Sequence, residues 1–377
     1  FGSTLVSTMG TALWNFNFTV LFVSLSLLLL VRYETDHAGT FSPYLMGFLL
    51  FAAFLSRPTT VLFIGLAFVY IFFFARKLVW KSIATFLAFV GLLMLLSSVE
   101  YDLWLPPYYL PERHGMMPPR YLTGERVEAL PFPLYFVLNG LLFSPSRGLF
   151  IFSPAFLLVL AGIPLFFSAV RKQPIFWLVL AWIFLEIGLL VRHNMWWGGH
   201  SFGPRLLTGI VPAFIVLTAI VWEQITDRWS SASRRVAASL YILFGIIGIL
   251  INSYAGLFNT QTARWNGGRL PPNVDQTMGY LFNWRYPQFM ATAQSACRRN
   301  QEYMASLLAD NDVSIRPYNL GETVGFQDAY LDLPHADEKV EYAQSIPRWS
   351  LHTGLLADWI RRDIPASPVE YRTFLPL

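Results

Sequence analysis

The sequence predicts an all-α polytopic membrane protein. It should have about eight transmembrane helices, one short re-entrant or interfacial helix, and a C-terminal extracytoplasmic tail of mixed structure. Of the 377 residues, 55% are hydrophobic and only 13% are charged, whereas soluble domains carry about 25% charged residues. The mean hydropathy is +0.46. This composition excludes a disordered chain, a nucleic-acid-binding domain and an ordinary cytosolic enzyme.

Eight apolar segments approach the ~20 residues that a helix needs to cross a bilayer. Each is predicted to be helical because a single segment has no other way to satisfy its backbone hydrogen bonds in lipid. The segment 132–143 is too short and is flanked by proline, so we interpret it as re-entrant or interfacial. The predicted spans are 13–31, 43–55, 58–74, 79–96, 149–169, 175–191, 206–222 and 236–251.

Charge divides the chain into two parts. Residues 1–252 carry 16 basic and 10 acidic side chains, and residues 253–377 carry 11 and 13 in half that length. The split predicts a transmembrane domain over 1–252 and a soluble extracytoplasmic region over 253–377. Cys297 is the single cysteine, so no intrachain disulfide can form.

Short basic connections predict the orientation, because cytoplasmic loops of membrane proteins are rich in Lys and Arg. Three such connections fall on one side if the segment 132–143 does not span. That side is then cytoplasmic, and the loops around 57, 98–147 and 192–205, together with the tail, lie outside. The basic residues are Arg76, Lys77, Lys81, Arg171, Lys172, Arg228, Arg234 and Arg235.

The loop over 195–205 reads M-W-W-G-G-H-S-F-G-P-R. The faces of Trp196 and Trp197 suit stacking on a sugar ring, and His200 lies beside them. Arg205 precedes a predicted span, where a guanidinium grips phosphate with two hydrogen bonds. The alternative is an aromatic belt with an arginine anchor at the membrane interface.

Two further arginines fall on the predicted outer face. Arg57 interrupts an apolar stretch in S-R-P-T-T, and Arg147 lies in the run L-F-S-P-S-R-G-L-F-I-F-S-P. A charge in hydrocarbon is costly, so each must lie at the interface or face a cavity. Both are candidates for phosphate or headgroup contact; the alternatives are an Arg57 that snorkels in a tight turn and an Arg147 that lies among the headgroups of a re-entering loop.

Three carboxylates complete the candidates. Glu186 lies inside the span 175–191, where an ionisable group indicates function; the alternatives are pairing with an arginine or lining a polar cavity. Glu100 and Asp102 begin the long outer loop and are weak candidates for a catalytic base. No metal-ligand spacing is recognisable, and no pattern supports a divalent metal or another cofactor.

Together these motifs resemble bacterial polytopic glycosyltransferases of the GT-C superfamily, in the group related to protein O-mannosyltransferases and aminoarabinose transferases. The resemblance covers residues 13–251 and rests on the R-P-T turn, on F-S-P-S-R-G-L-F-I-F-S-P and on W-W-G-G-H-S-F-G-P-R. A further stretch, N-W-R-Y-P-Q over 283–288, is similar to a tail signature of that group.

The resemblance implies transfer of a sugar from a polyprenyl-phosphate donor, on the extracytoplasmic face of the bacterial inner membrane, to a lipid, glycan or protein. Because Arg57, Arg147 and Arg205 all fall on the predicted outer face, we expect them to contact the donor phosphate or headgroup. We expect Trp196, Trp197, His200 and Glu186 to contact the sugar or acceptor. The family's catalytic acid follows its first span and has no match here. The base is therefore expected upstream of Phe1, which predicts a truncated N-terminus and a fragment that could be inactive by itself.

Two other classes of function stay open. A transporter or flippase for a lipid-linked glycan should have internal repeats and several charged residues deep in its spans. A non-catalytic membrane scaffold would present its tail to other molecules.

Overall fold

The computed structural model describes residues 3, 15–36, 41–106, 132–193, 195–266, 274, 278–295 and 298–299. The structure is 80% helical, and the described residues contain no strand. Five of the described helices are long and apolar enough to cross a membrane. The protein is therefore an integral membrane protein built from helices, as its composition predicts.

The helices follow one another along the chain, with long connections after α4 and α8. Their bounds are α1 Asn15–Asp36, α2 Pro43–Ser56, α3 Val61–Phe74, α4 Arg76–Tyr101, α5 Leu134–Phe143, α6 Leu149–Phe152, α7 Ala155–Val170, α8 Pro174–Val191, α9 Val211–Arg228, α10 Ser231–Ile249 and α11 Gln261–Trp265. Tighter 3-10 turns cover Pro58–Thr60, Arg205–Ile210, Met278–Phe282 and Gln288–Met290, and α10 continues as a π-helix over Leu250–Phe258.

Local sequence explains several helix starts. The Ser42 hydroxyl accepts a hydrogen bond from the Leu45 N–H at 3.2 Å, and Pro43 occupies the first helical position of α2. Ser230 caps α10 in the same way through the Ser233 N–H, at 3.3 Å. Serine at the cap and proline at the first position are favoured because the first N–H groups of a helix have no partner inside it.

The three basic connections lie at one end of the helix bundle, which we call the basic end. The Tyr33 hydroxyl, near the end of α1, donates to the Phe74 carbonyl at 3.1 Å. Gln173, before α8, donates to Glu223 near the end of α9 at 2.9 Å. Arg234 donates to the Thr226 carbonyl at 3.4 Å. These contacts bring together the connections that follow α3, α7 and α9.

The opposite end, which we call the Arg57 end, carries the candidate residues. Arg57, after α2, lies 3.6 Å from Glu186 of α8. The Asn252 amide, near the end of the α10 helix, donates to the Phe152 carbonyl of α6. The helix α5 also lies here, because the Phe136 ring packs 5.9 Å from the Trp196 ring.

Eight spans are predicted, but only five described helices are long enough to cross a membrane, because several predicted spans form shorter helices. The segments Pro43–Ser56, Pro58–Phe74 and Ala155–Val170 fall among the apolar helices of 10 to 17 residues. At 1.5 Å per residue these rise about 21 to 26 Å, less than the ~30 Å hydrocarbon core. Eight spans therefore stays a prediction, whereas five helices meet the length criterion. The ten residues of α5 rise only about 15 Å.

The last apolar helix described runs over Ser231–Phe258, so residue 252, the predicted end of the transmembrane domain, lies inside this helix. Asn252 is fully buried and bonded to α6, and residues 259–266 and 278–295 of the tail pack on the Arg57 end. A change in charge density could not locate this end, because the first charged side chain after residue 252 is Arg264. Residues 300–377 lie outside the described residues.

Candidate functional site at the Arg57 end

Arg147 is almost completely buried, with 1% of its surface exposed, and every N–H of its guanidinium is used within the protein. Five donors is the full capacity of an arginine side chain. The acceptors among the described residues are neutral: the carbonyls of Ser146, Trp197 and Gly199, at 2.8, 2.8 and 3.0 Å, and the side-chain oxygens of Asn266, at 2.6 Å, and Gln288.

The S-P-S-R-G turn holds Arg147 in this position. The Ser144 hydroxyl accepts from the N–H groups of Ser146 and Arg147, both at 3.1 Å, and donates to the Leu281 carbonyl. The Gly148 N–H donates to the Ser144 carbonyl at 2.7 Å. A Cβ on Gly148 would lie 2.5 Å from that carbonyl oxygen, so the turn requires glycine.

Gln288 completes what we call the Arg147 network, formed by Arg147, Asn266, Gln288 and the backbone of residues 197–203. Its Nε2 donates to the carbonyls of Ser201 and Thr262, both at 3.0 Å, and its Oε1 accepts from the Gly203 N–H at 3.3 Å. The network therefore joins the three longer sequence motifs. Sequence reasoning noted N-W-R-Y-P-Q as a signature but gave Gln288 no role, and it missed Asn266.

This geometry changes the interpretation of Arg147. A phosphate would have to displace carbonyls and amides that already match every donor. Removing a buried hydrogen bond leaves an unsatisfied acceptor, which costs about 1–3 kcal/mol for each group. We therefore no longer assign Arg147 to the donor phosphate; its contacts orient the loop over 197–203.

Trp196 and Trp197 are also buried, with 1% and 6% of their surface exposed. The Trp196 ring packs against Phe136 and Phe282, with centroids 5.9 and 6.2 Å apart. A Cβ on Gly140 would lie 2.2 Å from the Trp196 ring, so α5 approaches the indole directly. The stacking role predicted for these tryptophans does not fit this conformation, because the chain's own residues enclose both rings.

Arg57 forms the one ion pair among the described residues. Its Nη1 lies 3.6 Å from Glu186 Oε1, and the side chains are 13% and 5% exposed. Its Cζ lies 4.1 Å above the centre of the Phe16 ring of α1. Pro58 favours an extended Arg57 backbone, which is observed at φ −157°. Glu186 thus pairs with an arginine, one of the roles left open for it.

Arg205 lies at the same end of the bundle. It opens the 3-10 turn Arg205–Ile210 and is half-buried. Gly209 of the same turn approaches Arg57, because a Cβ there would lie 3.8 Å from Arg57 Nη1. Four residues of 3-10 helix rise about 8 Å, so Arg205 stands about that far along the turn from Gly209. The span predicted to begin at residue 206 therefore starts with this turn.

Two histidines lie at the same end. His200 is exposed, and its neighbours Gly199 and Ser201 are held by the Arg147 network. Although much of His193 is exposed, partial burial of its ring and then the positive charge of Arg57 lower its pKa. His193 therefore belongs to the Arg57 surroundings. Sequence reasoning set it aside as isolated, since only the fold brings residues 57 and 193 together.

The remaining candidates lie apart from this group. Glu100 and Asp102 are exposed at the end of α4, where Asp102 adopts a left-handed backbone at φ 54° as the helix cap. The α4 helix lies on the outside of the bundle, since only 11% of its apolar stretch is buried. Over the residues that the structure describes, no three His, Cys, Asp or Glu side chains form a group that could hold a metal ion.

Arg57, Glu186, His193 and Arg205 are called the Arg57 cluster below. Arg57 and Arg205 place two guanidiniums at this end of the bundle, and a guanidinium binds an anion such as phosphate with two hydrogen bonds. Comparison with protein-family models, with curated proteins and with solved structures gives no match to this chain.

Proposed function

We propose that this protein is a membrane glycosyltransferase that moves a sugar from a polyprenyl-phosphate donor to an extracytoplasmic acceptor. The proposal rests on the Arg57 cluster: Arg57 is oriented by the buried carboxylate of Glu186, and a second arginine, Arg205, lies at the same end of the bundle, opposite the basic connections. The predicted role of Arg57 and Arg205 at the donor phosphate agrees with this position, and the motif resemblance supplies the class of donor.

The reaction is a displacement at the anomeric carbon. An acceptor hydroxyl attacks that carbon, a new glycosidic C–O bond forms, and the bond between the sugar and the lipid phosphate breaks. The hydroxyl proton passes to a carboxylate acting as general base. The negative charge that develops on the leaving phosphate is stabilised by the guanidiniums of Arg57 and Arg205.

Glu186 has a positioning role in this proposal. Its carboxylate holds the Arg57 guanidinium at the end of α8, and the Phe16 ring supports the guanidinium from below. A paired arginine at 13% exposure is oriented before a ligand arrives. Such pre-organisation lowers the cost of ordering the side chain on binding.

We also propose that the Arg57 end is extracytoplasmic and the basic end cytoplasmic. The basic connections that meet at one end of the bundle support this orientation, because Lys and Arg are enriched in cytoplasmic loops. The donor is then used on the outer face of the bacterial inner membrane.

Transfer is tested with the full-length protein in membranes that lack other such transferases. Polyprenyl-phosphate mannose and polyprenyl-phosphate aminoarabinose serve as donors, and release of polyprenyl phosphate is measured, which requires no knowledge of the acceptor. The wild type should release it from one donor, and Arg57→Gln should reduce the rate about 10- to 150-fold, the value of one charge-assisted contact of about 1.5–3 kcal/mol. Arg76→Gln is the matched control, because Arg76 is exposed at the basic end.

Two outcomes would reject the proposal. Donor that crosses the membrane without losing its sugar would favour the transporter or flippase. A protein that neither transfers nor moves either donor would favour the scaffold.

A further inference from the structure

A cavity lies between α1 and α9, away from the Arg57 cluster. Its volume is about 710 Å³, within the range of about 300–1,000 Å³ that is typical of ligand sites. Its walls are mostly apolar. Leu28 of α1 and Ile215 of α9 line it and are 45% and 53% exposed, so the cavity opens sideways toward the surrounding lipid.

The cavity has the length of a lipid chain in one leaflet. On α1 it extends from Ser24 to Thr35, and on α9 from Pro212 to Glu223. Eleven residues of helix rise about 16 Å, and one leaflet of hydrocarbon is about 15 Å thick. The groove therefore runs from the middle of the bundle to its basic end, parallel to the chains of the adjacent leaflet.

Apart from Ser24, the polar side chains that line the groove lie at its basic end. They are Glu34, Thr35, Gln173 and Glu223. Glu34 Oε2 accepts from the Tyr70 hydroxyl at 2.7 Å and from the Ile175 N–H at 3.2 Å, and Glu223 accepts from Gln173 at 2.9 Å. Within the described part of the chain, neither carboxylate pairs with a basic side chain at 4 Å or less, so the mouth of the groove carries two negative charges.

We propose that this groove binds a phospholipid with a primary ammonium headgroup, of the phosphatidylethanolamine type, from the leaflet at the basic end. One chain fills the apolar groove, and the ammonium group meets Glu34 and Glu223. Lys172 is exposed and immediately precedes Gln173, which lines the mouth, so it supplies a positive charge for the phosphodiester. A purely anionic headgroup would face the two carboxylates with no ammonium to offset them.

Native mass spectrometry of the full-length protein in mild detergent tests the proposal. Phosphatidylethanolamine and phosphatidylglycerol with identical chains are added separately, and their apparent dissociation constants are compared. The wild type should retain the ethanolamine lipid more tightly. Glu223→Gln keeps an oxygen that can accept from Gln173 but removes the charge. It should weaken the ethanolamine lipid about fivefold, the value of an exposed charge contact of about 1 kcal/mol, and leave the glycerol lipid unweakened.

Two further variants make the result specific. Glu100→Gln, an exposed carboxylate at the Arg57 end, should change nothing. Ala219→Trp, which fills the groove from an exposed position on α9, should weaken both phospholipids. Equal retention of the two lipids by the wild type, or no change with Glu223→Gln, would overturn the proposal. So would loss of polyprenyl phosphate, but not of phospholipid, from Ala219→Trp, because the groove would then hold the donor chain.

Discussion

Arg147 shows how a single buried side chain can organise a loop through neutral acceptors. Among the described residues, its five hydrogen bonds go to neutral oxygens of the adjacent Ser146 and of three segments that are distant in sequence. Burying a charge is costly unless hydrogen bonds satisfy it completely. The residue at position 147 is therefore constrained by the number and direction of its hydrogen-bond donors as much as by its charge.

We expect Arg147→Lys to destabilise the protein. Lysine keeps the charge but supplies three donors in place of five, so at least two buried acceptors lose their partner at about 1–3 kcal/mol each. The melting temperature in detergent should fall by several degrees. Arg192→Lys, at an exposed arginine near the same loop, is the control and should change it little. An unchanged melting temperature together with loss of polyprenyl-phosphate binding would return Arg147 to the phosphate site.

Arg205 differs from Arg147 because its side chain is only half-buried. It lies in the 3-10 turn at the Arg57 end, so we expect Arg205→Lys to insert and fold normally. Lysine loses the planar fork that binds phosphate with two hydrogen bonds. The rate of transfer should therefore fall about 10- to 150-fold, corresponding to about 1.5–3 kcal/mol. Wild-type transfer by the Arg205→Lys protein at normal expression would indicate an interfacial anchor.

At the scale of elements, the contact between α5 and the loop over 195–205 is the closest approach at the Arg57 end. Gly140 places the α5 backbone against the Trp196 ring, and a Cβ there would lie 2.2 Å from it. Proteins are packed too densely to absorb such an overlap without moving an element. The α5 helix therefore fixes Trp196 in the aromatic cluster.

Two glycine substitutions separate this packing effect from helix propensity. Gly140→Ala should destabilise the protein by about 1–3 kcal/mol, because the overlap forces α5 away from Trp196. Gly245→Ala in α10 meets nothing within 4 Å and should be neutral or slightly stabilising. Thermal unfolding of the two variants, monitored by tryptophan fluorescence, distinguishes these effects. Equal effects from the two substitutions would contradict the packing described for Trp196.

The helices were more predictable from sequence than the site. Apolar length located each long helix, because lipid requires that the backbone satisfy itself within one segment. Apolar length could not place the start of α9, since Arg205–Ile210 is a 3-10 turn fixed by Gly203, at φ 63°, and Pro204. The role of Gln288 could not be predicted either, because its side chain bonds to Gly203 and Arg147, which lie 85 and 141 positions away in the sequence.

The tryptophan pair illustrates a second limit. Trp196 and Trp197 are residue types typical of a sugar site, but the fold packs the Trp196 ring against Phe136 and Phe282 and the Trp197 ring against Phe132 and Trp196. Arg57 and Glu186 were proposed separately, and their pairing depends on the packing of α3, the helix that follows Arg57, against α8.

For the whole molecule, the two ends of the bundle should lie on opposite sides of the membrane. In a Cys297→Ser background, His200→Cys lies at the exposed surface of the Arg57 end and Ala232→Cys at that of the basic end. In intact cells, a membrane-impermeant maleimide should label His200→Cys only. After the membrane is permeabilised, both should be labelled. The reverse pattern in intact cells would invert the orientation and place the Arg57 cluster in the cytoplasm.

The central claim is that the Arg57 cluster binds the phosphate of a polyprenyl-phosphate lipid. Native mass spectrometry with polyprenyl phosphate and with the uncharged polyprenol of equal length measures this most directly. The Arg57→Gln/Glu186→Gln double variant removes both charges of the pair, so no uncompensated carboxylate is left buried. We expect the wild type and Arg76→Gln to prefer the phosphate by tenfold or more, about 1.4 kcal/mol, and the double variant to lose most of that preference. Equal binding of phosphate and polyprenol by the wild type, or an unchanged preference in the double variant, would contradict the account.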